Sequence, residues 1–223
     1  DVRLLEKNEQ LGGRASRLER DGFRFDMGPS WYLMPDVFER FFGHFGREPG
    51  DYYELEPLDP HYRIFFKDGD QVDISADRAT NRDVFESYET GAGEAFEAYL
   101  ATSKRHYETA MKDFVYEYRP TWRDWVDPAL LRAAPVGVKL LGSMQGHVED
   151  YFDHPKLQQI VQYTLVFLGG SPTNTPAIYN MMSHVDFNLG VYYPTPVDGG
   201  AGGIGAVVDG IVDLAEELGG AYE

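Results

Sequence analysis

The residues best suited to chemistry lie in the first thirty positions. Leu4-Leu5-Glu6-Lys7 ends a short apolar run on a carboxylate, and Leu11-Gly12-Gly13-Arg14 follows after a short loop. In a dinucleotide-binding βαβ unit the acidic residue at the end of the second strand holds the ribose, because one carboxylate accepts two hydrogen bonds from a vicinal diol. Glu6 takes that position. Gly12 and Gly13 let the backbone approach a cofactor closely, and Arg14 offers a forked donor set to pyrophosphate oxygens. The G-x-G-x-x-G turn that should precede the carboxylate by roughly 20 residues is not in the sequence, which starts too late to hold it. Asp1 leads straight into Val2-Arg3-Leu4-Leu5, which reads as the inside of a strand, so a truncated chain is expected. Alone, these residues also suit a plain surface turn.

Other chemistries find no footing. His44, His61, His106, His147, His154 and His184 show no H-E-x-x-H and no other ligand spacing, so no metal site is expected. No Gly-x-Ser-x-Gly elbow is present. With no cysteine, disulfides, thiolate metal sites and Cys nucleophiles are excluded. The 223 residues carry 37 acidic against 20 basic side chains, a formal charge of -17 and a pI near 4.6. Such a chain repels phosphate backbones, so nucleic acid is not an expected partner. There are 14 Arg to 6 Lys and 20 Asp to 17 Glu. That balance suits a protein kept hydrated where salt screens its self-repulsion, and a high-salt cytoplasm is expected, although an ordinary acidic protein could carry the same charge. No run of about 18 apolar residues and no signal-peptide pattern occurs, which reads as a soluble, intracellular chain.

The elements that must position these residues are legible from periodicity. Val2–Leu5, Ala15–Leu18 and Phe23–Phe25 are short β-prone runs punctuated by glycine turns. From Pro35, the residues Val37, Phe38, Phe41, Phe42 and Phe45 fall on one helical face. Tyr62–Phe66 and Gln71–Ile74 flank Lys67-Asp68-Gly69-Asp70, a hairpin signal. Phe96, Tyr99, Leu100, Ser103, Tyr107, Ala110, Met111 and Phe114 repeat with helical period, and Pro120, Pro128 and Pro135 then break the chain. A helix is expected from about Pro155 to Leu168, stopped by Gly169-Gly170, and a short one after Pro176. Ile204, Val207, Val208, Ile211, Ala215 and Leu218 form a final stripe that Gly219-Gly220 ends, and such a helix usually delivers the chain into another strand. Glu54 to Asp59 reads as solvated surface.

At Gly22-Phe23-Arg24-Phe25-Asp26-Met27-Gly28-Pro29-Ser30-Trp31-Tyr32 the sequence resembles the FAD-dependent amine-oxidase-like superfamily, and within it the phytoene desaturases and related carotenoid dehydrogenases. The resemblance rests on Leu5-Glu6-Lys7, Gly12-Gly13-Arg14-Ala15, Phe25 to Trp31, and Gly202-Gly203-Ile204-Gly205-Ala206-Val207-Val208 before Leu214 to Gly219. It covers essentially the whole chain, and the acidic bias resembles members from salt-loving archaea. It implies that Glu6, with Lys7 beside it, matches the ribose-binding carboxylate of FAD, that Gly12, Gly13 and Arg14 match the second cofactor segment, and that Gly28, Pro29 and Ser30 pass near the flavin. Trp31 and Tyr32 would face substrate, though plain core packing accounts for two aromatics equally well. Catalytic residues stay unassigned. One departure concerns Tyr193-Pro194, where the family usually runs straight into Gly-Gly-Met-Gly. Here Thr195 to Ala201 intervene before Gly202-Gly203-Ile204-Gly205.

The implied fold is α/β: an incomplete FAD-binding Rossmann-like (GR2-type) domain with a helical plus small-sheet substrate domain. The expected division is 1–80 as a partial FAD-binding region, 81–195 as the helical substrate domain and 196–223 as a return helix. The implied activity is desaturation of a long apolar polyene, phytoene or a related carotenoid, by hydride transfer to flavin. Such chemistry needs orientation and dryness more than ionisable groups. The implied partners are the apolar substrate, a membrane surface touched peripherally through an exposed apolar patch, and the missing N- and C-terminal parts of the same protein. Two alternatives stay open: another flavoenzyme of the superfamily, such as an amine oxidase or carotene isomerase, and a non-catalytic scaffold module.

Overall fold

A computed structural model describes residues 3–121, 124 and 142–222; Val2, Pro128 and Pro135 lie outside the described residues. In chain order the elements are β1 (Arg3–Leu4), β2 (Arg17–Arg20), β3 (Phe23–Asp26), α1 (Pro35–Gly43), β4 (Tyr53–Pro57), β5 (Tyr62–Phe65), β6 (Gln71–Ile74), α2 (Arg78–Tyr88), α3 (Ala92–Ala110), α4 (Met144–Glu149), α5 (Pro155–Gln162), α6 (Met181–His184), β7 (Tyr192–Pro196), α7 (Ile204–Glu217) and β8 (Ala221–Tyr222). They form two units, residues 1–61 with 189–223, and residues 62–188. The sequence placed its boundaries at 80/81 and 195/196; the units divide at 61/62 and 188/189.

In the first unit β1 and β8 pair in parallel, Arg3 with Ala221 and Leu4 with Tyr222, so α7 does return the chain to a strand. The hairpin β2–β3 turns on Asp21-Gly22, both with positive φ, the conformation a two-residue I′ turn requires. β4 pairs antiparallel with β7 from Tyr53↔Pro196 to Pro57↔Tyr192, and the Leu58 amide donates to the Val191 carbonyl at 3.0 Å. The core here joins Tyr32, Phe42 and Tyr53 to Ile204, Ala206, Val207 and Leu214 of α7. α1 ends at Gly43, so Phe45 falls beyond the helix. Phe41 and Phe45 lie exposed against each other, and only Phe42 of the expected stripe is buried.

The second unit holds the expected hairpin, β5 on β6, and a helical core. Phe96, Tyr99, Leu100, Ser103 and Tyr107 of α3 are buried as the periodicity predicts, with Phe85 stacked on Phe96 at 4.2 Å. Lys156 on α5 reaches Asp68 and Asp70 at 2.7 Å each, fastening that helix to the hairpin turn; the ammonium, with the Tyr88 hydroxyl, holds the Asp70 carboxyl down at about 2. The expected helix from Pro155 to Leu168 stays α-helical only to Gln162. It then tightens into a 3-10 segment, Tyr163–Leu168, that carries Val166, Phe167 and Leu168 to the surface.

One polar group in this core is unusual. Asp186, in the π-helical turn Val185–Leu189, is buried; the Tyr62 hydroxyl donates to its Oδ2 at 2.6 Å, and Oδ1 has no hydrogen-bond partner among the described residues. Burial pushes its carboxyl up to about 7, against the lowering effect of the Tyr62 bond. No helix among the described residues is long and apolar enough to cross a membrane.

Candidate functional site

The site in the first unit is assembled from three pieces of chain: the loop after β1, the hairpin β2–β3 and the N-terminal end of α7. The loop is held to the hairpin by one side chain. The Gln10 amide donates to the Arg17 carbonyl at 2.7 Å and accepts from the Arg17 amide at 2.9 Å, pairing like one more strand residue.

The hairpin is oriented by charge. Partners across an antiparallel pair share a face, so Arg17, Asp26, Glu19 and Arg24 lie on one side and Leu18, Phe25, Arg20 and Phe23 on the other. The polar side meets α7 and the loop before it. Arg17 grips Asp209 with two bonds of 2.5 and 2.8 Å, and Arg24 donates to the Ala201 carbonyl at 3.0 Å. The Asp26 carboxylate accepts from the Ile204 amide at 3.2 Å and so occupies the positive end of α7. A Cβ on Gly203 would sit 2.5 Å from that carboxylate, and a Cβ on Gly205 would sit 2.3 Å from the Arg17 side chain. The Gly-rich segment before α7 is therefore a packing surface for the hairpin, with Asp26 where an anion would otherwise bind. Asp26→Ala should cost about 1 kcal/mol in urea unfolding, the usual loss of a helix cap, and Asp26→Asn less.

The expected cofactor residues come together in part. Gly28 lies so close to the Arg14 carbonyl that a Cβ there would stand 2.0 Å from the oxygen, which brings the second and third motifs into backbone contact. Gly12 and Gly13 both adopt positive φ (107° and 53°), leading into a 3-10 turn, Gly13–Ala15. Lys7 and Gly13, with Asn8, Glu9, Gln10 and Ser16, line an open depression of about 520 Å³. The Glu6 carboxylate accepts from the Asn8 backbone and side-chain amides at 2.9 and 3.0 Å, both through Oε1, which leaves Oε2 for another donor. Arg14, Pro29 and Ser30 are exposed, and Arg14 meets no carboxylate among the described residues. This donor set fits a dinucleotide: a half-engaged carboxylate for a diol, two exposed cations for phosphates, and the Gly13 backbone open to close approach, with nothing within 4 Å of where a Cβ would stand.

Trp31 is half-buried, whereas Tyr32 is 1% exposed. The Tyr32 ring packs on Phe38 at 4.6 Å, its hydroxyl lies 3.1 Å from that of Tyr53, and its backbone bridges to Tyr192. Burial pushes both tyrosine hydroxyls well up from their ordinary value. Gln10, Asp26, Arg17 and Asp209 were not singled out from sequence as site residues; Asp26 lay inside a quoted motif without a role. Among the described residues no group of three or more His, Asp or Glu could hold a metal ion.

Comparison with known proteins gives this geometry a context. The family model described as flavin containing amine oxidoreductase matches residues 1–222. A carotenoid 3,4-desaturase of Haloarcula japonica is 73% identical over the whole chain, which corresponds to 44% of that protein. A zeta-carotene-forming phytoene desaturase of Myxococcus xanthus is 32% identical over 98% of the chain and 41% of its own length. The chain thus spans less than half the length of these curated relatives. Among solved structures, a putrescine oxidase variant superposes with a TM-score of 0.55 at 12% identity, covering 98% of this chain and 44% of that one, a likeness of fold alone.

Proposed function

The chain belongs to the flavin containing amine oxidoreductase family, and from that premise we propose that it is part of an FAD-dependent carotenoid desaturase. The observation that carries the reading is the 73% identity to the Haloarcula japonica carotenoid 3,4-desaturase over all 223 residues. Bound FAD would supply a two-electron acceptor for a hydride from an allylic carbon, with a proton lost from the adjacent carbon and a double bond formed between them. Glu6 would hold the ribose diol through Oε2, Lys7 and Arg14 the pyrophosphate, and the Gly13 backbone would keep the approach open, while Gly12 packs against Val208 and Gly28 against the Arg14 carbonyl. The Asp26 and Arg17 contacts to α7 would fix the hairpin that carries Gly28. Trp31 stands next to that segment as a candidate substrate contact, and Tyr32 would act from the core by fixing the backbone there.

The deciding experiment expresses the full-length protein in a host that accumulates a defined acyclic carotenoid and resolves the products by HPLC. A product with an added conjugated double bond is expected. Oxidation of amines, or isomerisation without desaturation, would overturn the reading. Glu6→Ala should weaken FAD binding about tenfold to a hundredfold in a fluorescence titration, the worth of hydrogen bonds to a charged group.

We further propose that Val166-Phe167-Leu168 meets lipid, since three consecutive exposed apolar residues suit a bilayer surface better than water. Full-length protein should float with liposomes at molar salt, and Phe167→Glu should stay in the soluble fraction. Equal flotation of both would sink this assignment.

A further inference from the structure

The hairpin β2–β3 is built inside out for an isolated unit. Its charged face is the one that packs, through Arg17 to Asp209 and Asp26 to the amide of Ile204, while its apolar face looks outward. On that outer face Leu18 is 44% exposed, Phe23 68%, Phe25 56% and, one step on, Met27 59%, with the two phenylalanine rings stacked 6.5 Å apart. A solvated two-stranded hairpin ordinarily turns such residues to the core. A second feature of the same unit is equally unfinished: β1 and β8 form a parallel pair of two residues each, with Leu4 exposed. Parallel sheets are otherwise covered on both faces and need more strands than two. The relatives that match this chain from end to end are more than twice as long.

We infer that the Leu18/Phe23/Phe25/Met27 face is an intramolecular docking surface, covered by the part of the full-length polypeptide that lies outside these 223 residues. The occupant is fixed by three observations. Apart from Arg20, which sits at the turn end and pairs with Asp21, the face is apolar, so a charged or hydrated partner gains little there. It is continuous in sequence with Gly28, at the junction of the two cofactor segments, where a flavoprotein must exclude water. And more than half of each full-length relative is available to close it. This inference rests on family membership and not on carotenoid chemistry.

These 223 residues hold no cysteine, so the parent full-length protein, labelled alongside, gives the signal of any thiol outside them, and that signal is subtracted. Phe23→Cys, Phe25→Cys and Met27→Cys are made singly in the full-length protein, with the exposed Lys67→Cys as reference, and maleimide labelling is timed without lipid at a concentration where light scattering shows a monomer. All three thiols should label at least about 100-fold more slowly than the reference and reach its rate in denaturant, as groups reachable only through local opening do. Labelling at the reference rate in the folded monomer would overturn the inference. So would protection that appears only on self-association, which would give the face to a second copy, or only with vesicles, which would give it to lipid. Three variants guard against one that misfolds, since far-ultraviolet circular dichroism identifies it. Activity is not read, so the result stands apart from the identity of the substrate.

Discussion

Gly28→Ala in the full-length protein should cost about 3 kcal/mol of stability, at the upper end of overpacking penalties, and should release FAD. The added methyl would lie 2.0 Å from the Arg14 carbonyl oxygen, and the obstacle is main chain on both sides, so no rotamer change relieves it. Relief requires moving the Gly13–Ala15 turn away from the strand that leads into Gly28, which separates the two proposed cofactor segments. Gly13→Ala supplies the contrast. Nothing stands within 4 Å of a Cβ there, and the cost comes only from its positive φ, about 1 kcal/mol. Denaturant unfolding followed alongside flavin absorbance separates the two cases: equal losses in both variants would mean that the Arg14–Gly28 approach matters no more than backbone strain.

Asp186→Asn should make the protein more stable above neutral pH and remove a component of its pH dependence. In the folded chain this carboxyl is raised from 3.8 to about 7 by burial. A group whose folded value lies above its unfolded value contributes fully below the unfolded one and loses that contribution as pH rises through the folded one. The Asp186 contribution is therefore intact below about pH 4, falls between pH 4 and 7, and is about 4 kcal/mol lower beyond that. The neighbours that face it, Tyr62 from β5, Tyr163 from the 3-10 segment and Tyr99 from α3, are themselves pushed above the usual tyrosine range by burial. None of them titrates in that window. Asparagine keeps an acceptor for Tyr62 and cannot ionise. The difference in unfolding free energy between variant and parent should grow from pH 4 to pH 8 in favour of the variant, and a difference independent of pH would show that Asp186 is not the titrating group.

The local features of the fold were readable from sequence, and the distant ones were not. The β5–β6 hairpin announces itself through Asp68-Gly69, and the buried stripe of α3 through aromatic period. α7 was placed correctly but its buried face only in part: Ile204 and Val207 of the expected stripe are buried and Ile211 and Leu218 are exposed, while Gly205 and Gly210 are buried, Gly210 leaving only 2.8 Å for a Cβ beside Tyr52. A count of large apolar residues cannot see a face that packs by being small. β4 and β7 went unseen because Glu54, Glu56 and Pro57 disguise one strand and Pro194 and Pro196 the other, and their pairing is long-range. Of the proposed site, Glu6, Gly12, Gly13 and Gly28 are candidates from residue type and motif alone. Asp26 had to be seen against an amide 178 residues away, and Gln10 against the backbone of a strand that no local pattern links to it.

The pairing of β4 with β7 also makes the second unit, in chain order, an insertion between two paired strands of the first. The chain leaves the first unit after His61 and re-enters it at Leu189, close to Leu58 and Val191, which share a backbone hydrogen bond of 3.0 Å. The long excursion between them makes almost no net displacement. Topologically, residues 62–188 are a graft on the loop of a hairpin that a turn of about two residues could close. A lineage could lengthen, reshape or exchange that graft, and with it whatever the graft recognises, without rethreading a single strand of the unit that carries Glu6, Arg14 and Gly28.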